Sequence, residues 1–216
     1  VRSKVGFSTY SSALGWIGSL QIFDNQSMYQ IHLAQPDTLE MIGYAVDVEL
    51  TSVPVFSGWN EIAYLPQVSL EVNSALESLP AQTGDIIRGQ FQFAQFVEGL
   101  GWIGSLRFLN PHQAYKLNVQ QAGALEYPFF EGAGAGKVVA PHNAVAAMGW
   151  KLDPRLYRNS MMITAVVEGE ERLDSEDDAV AVFVGDEIRG IGETVYVPSL
   201  GQHVAFVTVY SDVSEG

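Results

Sequence analysis

The sequence predicts a mainly β protein, with β-rich α+β repeat modules followed by a β-sandwich. Three observations lead there. The phrase Leu-Gly-Trp-Ile-Gly-Ser-Leu occurs twice, at Leu14–Leu20 and Leu100–Leu106, so one structural unit is written twice. Charged residues make up 17% of the chain and hydrophobic ones 47%, a balance that suits strands, turns and a packed core better than a helical bundle. The apolar residues fall in short runs rich in β-branched and aromatic side chains, closed by Gly, Pro, Asn or Asp, as strands are.

Displaced by 86 positions, residues 1–41 fall on residues 87–127 without a gap. Arg2 meets Arg88, Phe7 meets Phe93, Trp16 meets Trp102 and Tyr29 meets Tyr115. Tyr10/Phe96, Ile31/Leu117 and Leu33/Val119 differ but keep their type. Residues 48–84, which lead into the second copy, have no counterpart before Val1. Residues 1–43 are therefore expected to be the C-terminal part of a first module and residues 48–130 a complete second one. A linker follows at 131–148, around Gly132-Ala-Gly-Ala-Gly136, and then a β-sandwich at 149–216. The chain is expected to be an internal fragment truncated at both ends. Residues 1–43 would then be ordered through contacts with 48–130 or with another copy of the chain.

Within the second module, Trp59–Leu65 is aromatic and branched and stops at Pro66, which predicts a strand. Ser69 is expected to cap a short helix with Val72, Ala75, Leu76 and Leu79 at helical spacing and Pro80 at its end. A strand starts at Asp85, and a hairpin runs from Phe91 to Leu106 with its turn at Glu98-Gly99. Asn110-Pro111-His112 forms a turn. Tyr115–Val119 alternates as a strand, and a last strand lies near Ala124–Tyr127. Beyond the linker, Met161–Val167, Ala179–Val184, Thr194–Val197 and Val204–Tyr210 predict the strands of the sandwich.

The succession Gly58-Trp59-Asn60, apolar strand to Pro66, short helix, Asp85-x-Ile87, Gly101-Trp102 and turn-Ala114-Tyr115-x-x-x-Val119 resembles a module found in tandem in secreted, multidomain bacterial surface proteins. In that family the turn before the tyrosine reads Pro-Gly-x-Gly-Tyr. Here it reads Pro111-His-Gln-Ala-Tyr115 and Asn25-Gln-Ser-Met-Tyr29. The resemblance covers about residues 1–130. The stretch from Trp150 through Phe183-Val-Gly-Asp-Glu-Ile-Arg-Gly190 is similar to a second module of the same class of proteins. The resemblance implies an extracellular, cell-surface location, other modules of the same protein as partners, and no enzymatic role.

Bulk properties narrow the chemistry. With 11 basic against 25 acidic residues the net charge is −14, and that field repels a phosphate backbone, so nucleic acid is not an expected partner. The chain has no cysteine, which removes disulfides, thiolate metal sites and thiol nucleophiles. No apolar run approaches the ~20 residues of a membrane helix, and no membrane insertion is expected.

Two groups of residues are candidate sites. Trp16, Trp102, Tyr29 and Tyr115 would stack on sugar rings if exposed; packed, they would fill the module cores. The identical contexts of Trp16 and Trp102 predict one role and similar burial for both. The run Glu168–Asp178 holds seven carboxylates in eleven residues. Asp174, Glu176, Asp177 and Asp178 are candidate Ca²⁺ ligands, against the alternative of a solvated loop. No other cofactor is expected. For catalysis, His32, His112, His142 and His203 are scattered, and no serine elbow or phosphate loop is present. The expected function is a structural, adhesion or spacer region of a secreted multimodular protein. The alternative is a carbohydrate-binding module of a secreted polysaccharide-degrading enzyme, with a surface polysaccharide as partner.

Overall fold

The computed structural model describes residues 1–40, 43–44, 46–129, 149–167, 173–175, 177–198 and 200–212. The chain is mainly β, as the sequence predicts, with several antiparallel sheets. In chain order the strands are β1 (Ser8–Ser11), β2 (Gly15–Gly18), β3 (Val53–Val55), β4 (Gly58–Ala63) and β5 (Leu70–Glu71). Helix α1 (Val72–Ala75) follows, then β6 (Ile86–Arg88), β7 (Phe93–Val97), β8 (Gly101–Gly104), β9 (Phe108–Leu109), β10 (Ala114–Val119) and β11 (Gly123–Leu125). A 3-10 turn at Pro154–Leu156 leads to β12 (Asn159–Ala165), β13 (Ala179–Val184), β14 (Glu187–Val197) and β15 (Gln202–Ser211). Two compact units result: Val1–Asp85 with Phe108–Val138, and Ile86–Arg107 with Val139–Gly216.

In the first unit β4 pairs antiparallel with β10, from Gly58 opposite Val119 to Ala63 opposite Ala114. Alternate residues of β10, Tyr115, Leu117 and Val119, are buried, the pattern of a strand with one face on a core. Lys116 and Glu61 face each other on the outer side, 3.0 Å apart. The Gly-Trp-Asn opener has a physical reason. Gly58 takes a φ of 91°, which a residue with a β-carbon rarely adopts. The buried Asn60 amide donates to the Phe56 and Gly58 carbonyls at 2.7 and 2.9 Å, while its oxygen accepts from the Phe56 N–H at 2.9 Å. One side chain thus satisfies the turn that launches β4. β3 pairs with β11 and β5 with β9.

The helix is shorter than the sequence predicts, and its cap is a different residue. Glu71 is the N-cap, its carboxylate accepting from the Asn73 and Ser74 N–H groups at 2.9 and 3.2 Å. Ser69 instead donates its hydroxyl to Asn110 Oδ1 at 2.7 Å. A strand pair intervenes: Leu70 and Glu71 join β9 before the helix starts. The expected apolar stripe is nevertheless real, since Val72, Ala75, Leu76 and Leu79 are all buried.

The first copy sits in the same unit. β1 and β2 form a two-stranded ribbon, and Arg2 bridges to both Phe7 and Gln30. The copy is tied to β4 by main-chain and side-chain bonds. The Ala63 N–H donates to the Gln26 carbonyl at 3.0 Å, Ser27 bridges to Ile62, and Lys4 Nζ donates to the Trp59 carbonyl at 3.1 Å.

In the second unit β6, β7 and β8 form an antiparallel meander. A four-stranded antiparallel sheet has the order β12-β15-β14-β13. Phe93 of β7 packs with Val197, Val204 and Phe206 of β14 and β15, and Ile103, Met162 and Val195 close around them. The Phe93 and Phe206 rings meet edge to face, 6.0 Å apart, a favoured aromatic geometry. In this cluster β12, β14 and β15 supply one side, and the β7–β8 hairpin of the repeat supplies the other. At Gly192 an added β-carbon would fall on the Phe206 carbonyl and a Val207 methyl, so β14 needs glycine there to lie close to β15.

Candidate functional site

The repeated phrase builds the same object twice. Tyr10 is paired with Trp16 and Ser8 with Gly18; Phe96 is paired with Trp102 and Ala94 with Gly104. The Tyr10–Trp16 rings lie 5.6 Å apart at 64°, and the Phe96–Trp102 rings 5.5 Å apart at 66°. Gly15 and Gly101 both take positive φ, 72° and 79°, which turns the chain into the second strand. A β-carbon at Gly18 or Gly104 would fall on the carbonyl oxygen of Phe7 or Phe93. The serine of the phrase also repeats its contact: the N–H of Phe7 donates to Ser19 Oγ, and that of Phe93 to Ser105 Oγ, both at 3.3 Å.

The tyrosine of the repeat has a duplicated role too. Tyr29 Oη accepts the Asp24 N–H at 2.8 Å, and Tyr115 Oη accepts the Asn110 N–H at 2.8 Å. Each phenol closes the turn five residues upstream. In the first copy Asp24 adds a carboxylate: Oδ2 accepts the Tyr29 hydroxyl at 2.9 Å, and Oδ1 accepts the Gln26 and Ser27 N–H groups at 2.9 and 2.7 Å. Burial raises the Asp24 pKa, but the bonds from Ser27, Gln26 and Tyr29 outweigh it and hold the group below its ordinary value. Tyr29 is pushed up, first by burial and then by the Asp24 charge.

The four aromatic candidates separate sharply by exposure. Trp102 is 5% exposed and Trp16 60%, so the expectation of similar burial does not hold. The hairpins agree in register and ring geometry; what covers them differs. Tyr115 is buried against Tyr64, which also meets Tyr127 edge to face at 5.2 Å. Tyr29 is partly covered and touches Phe23 at 4.6 Å. Trp16 alone of the four presents a largely open ring, and the structure sets Tyr10, 62% exposed, beside it. Tyr10, the counterpart of Phe96 in the repeat, is not among the four candidates. The signal was its cross-strand place opposite Trp16.

The acidic candidates are arranged as a turn. Asp178 Oδ2 accepts the N–H groups of Asp174 and Ser175 at 3.0 and 3.1 Å, while the buried Thr194 hydroxyl donates to the Ser175 and Asp178 carbonyls. Asp177 is exposed, and Glu176 lies outside the described residues. Among the described residues no three His, Asp or Glu side chains come together as a metal-binding group. Of the neighbouring pair Asp186-Glu187, Glu187 is bound by the Tyr157 hydroxyl at 2.7 Å and by Arg189 at 3.0 Å. These two bonds hold its carboxyl below the ordinary value.

No protein-family model, curated protein sequence or solved structure matches the chain.

Proposed function

We propose that the chain is a non-enzymatic structural, spacer or adhesion region of a secreted, multimodular bacterial cell-surface protein, with other modules of that protein as its partners. One observation carries this reading. The two copies of the seven-residue phrase have the same pairing register and ring geometry, and its glycines and serines serve backbone approach and turn closure. A phrase whose residues are used up in making a hairpin specifies architecture, not a reaction. Glu71, Asp24 and Asp178 likewise act as a helix cap and as turn locks. A screen of the whole chain against common glycosides, esters and peptides is expected to show no turnover above buffer. Turnover abolished by one carboxylate or histidine substitution refutes the reading.

Carbohydrate binding is the second reading, and the exposed Tyr10–Trp16 pair favours it. Aromatic faces open to water stack on the C–H faces of sugars. Titration with soluble polysaccharides, followed by tryptophan fluorescence, separates the two readings. A saturable change lost in Trp16→Ala and kept in Trp102→Phe supports binding; no change with any polysaccharide leaves the structural reading standing.

A further inference from the structure

We infer that the Phe7–Ile17 face of the β1–β2 ribbon is a self-association surface whose occupant is the same face of a second copy of this chain. The inference is independent of the proposed function. It starts from the internal comparison that the repeat provides. On β7–β8 the equivalent residues, Phe93 and Ile103, are covered by Val197, Val204 and Phe206 of an antiparallel sheet. That covering is chemically simple, an aromatic ring and β-branched aliphatic side chains with no charge. Phe93 is 3% exposed, whereas Phe7 is 58% and Ile17 48% exposed. Both sit on one face of the ribbon, because Thr9 pairs with Ile17 and Phe7 lies two residues before Thr9.

The ribbon carries the chemistry of its own cover. Phe7, Thr9 and Ile17 offer the same combination of one aromatic and β-branched neighbours that Phe206, Val204 and Val197 offer to Phe93. Two such faces laid together by a two-fold axis bury each phenylalanine against the other copy. An isologous contact requires a self-complementary patch, and an uncharged aromatic–aliphatic patch meets that requirement without any charge having to find its opposite. Charge also selects this place. The 19 residues from Val5 to Phe23 contain no Asp, Glu, Lys, Arg or His in a chain of net charge −14. Two copies that meet here bring no like-charged side chains of this segment together. Val5, Leu14 and Ile22, at 90%, 75% and 82% exposure, extend the apolar area around the ribbon, and apolar surface of this kind marks association sites.

Sedimentation equilibrium of the whole chain tests this, at low and at high salt. The expected result is a dimer that tightens as salt screens the like charges. Ile17→Glu and Phe7→Glu, each at a half-exposed site, are expected to weaken it at least ~30-fold, the scale of a central interface residue, with the circular dichroism spectrum of the folded chain unchanged. Phe183→Glu, at an equally exposed position on β13, is expected to leave the dimer intact. Because the chain has no cysteine, Ile17→Cys gives a second reading that requires no loss of contacts. It should oxidise to a disulfide-linked dimer, and Phe183→Cys should not. A monomer at every concentration and salt overturns the inference. So does a dimer that Phe183→Glu dissolves and Ile17→Glu does not, or a ribbon that captures a foreign β-sheet module while never pairing with itself.

Discussion

Tyr10 and Trp16 meet edge to face across β1–β2 with ring centroids 5.6 Å apart, both rings more than half open to water. Eighty-six positions later Phe96 and Trp102 repeat the contact at 5.5 Å, and that indole is buried. Identical local sequence therefore fixes the hairpin and leaves its surroundings undetermined. The pair supplies a natural control for asking what burial contributes.

Trp102→Ala is expected to destabilise the protein by about 3–5 kcal/mol, the range for deleting a large buried aromatic. Trp16→Ala should cost under about 1 kcal/mol, because little apolar surface is removed from contact. Chemical denaturation of the two variants, followed by circular dichroism, checks the inequality. Equal costs would mean that Trp16 is covered in solution.

Asp85 is 1% exposed and accepts three bonds, from the N–H groups of Gln82 and Gln120 at 2.9 and 3.0 Å and from Gln120 Nε2 at 3.2 Å. Asp85→Ala strands buried donors, which costs about 1–3 kcal/mol per unsatisfied group. Asp85→Asn keeps one carbonyl acceptor and should lose less. The order Ala worse than Asn in denaturant midpoints is the expected outcome.

Tyr64, Tyr115 and Tyr127 are held protonated above the ordinary value of 10.0, in each case first by burial. A tyrosine whose folded pKa is raised gives stability that is present below the unfolded pKa and lost as pH rises through the folded one. Ultraviolet titration should therefore show these three ionising above the ordinary value, together with loss of the near-ultraviolet dichroism of the fold. Tyr64→Phe removes the bond to the Val68 carbonyl and should shift that alkaline transition.

Asp24 works in the opposite direction. Its folded pKa lies below the ordinary 3.8, so its contribution is present above the unfolded pKa and is lost as pH falls through the folded one. Hydrogen exchange should show the Gln26 and Ser27 amides losing protection in that acid range. The turn before Tyr115 uses Asn110 in place of a carboxylate and should not change there.

The element types were legible in the sequence for local reasons. Alternation in Tyr115–Val119 marked β10, the aromatic and apolar spacing from Phe91 to Leu106 around Glu98-Gly99 marked the second hairpin, and the displacement by 86 residues implied a matching one in the first copy. The helix start was misplaced because Ser69 satisfies the capping pattern equally well in an isolated segment. Pairing of Leu70-Glu71 with β9, which lies far along the chain, gave the cap to Glu71. The exposure of the candidate residues was beyond local pattern altogether. Burial depends on which other surface arrives, and for Phe93 and Ile103 it is a sheet formed more than ninety residues later, by Val197, Val204 and Phe206. The sequence by itself determined the β class, the repeat and the shape of each hairpin, because steric fit and backbone dihedrals are settled within a few residues. The tertiary structure decided that Trp102 is core and Trp16 surface, because hydrophobic burial is a property of contacts between distant segments.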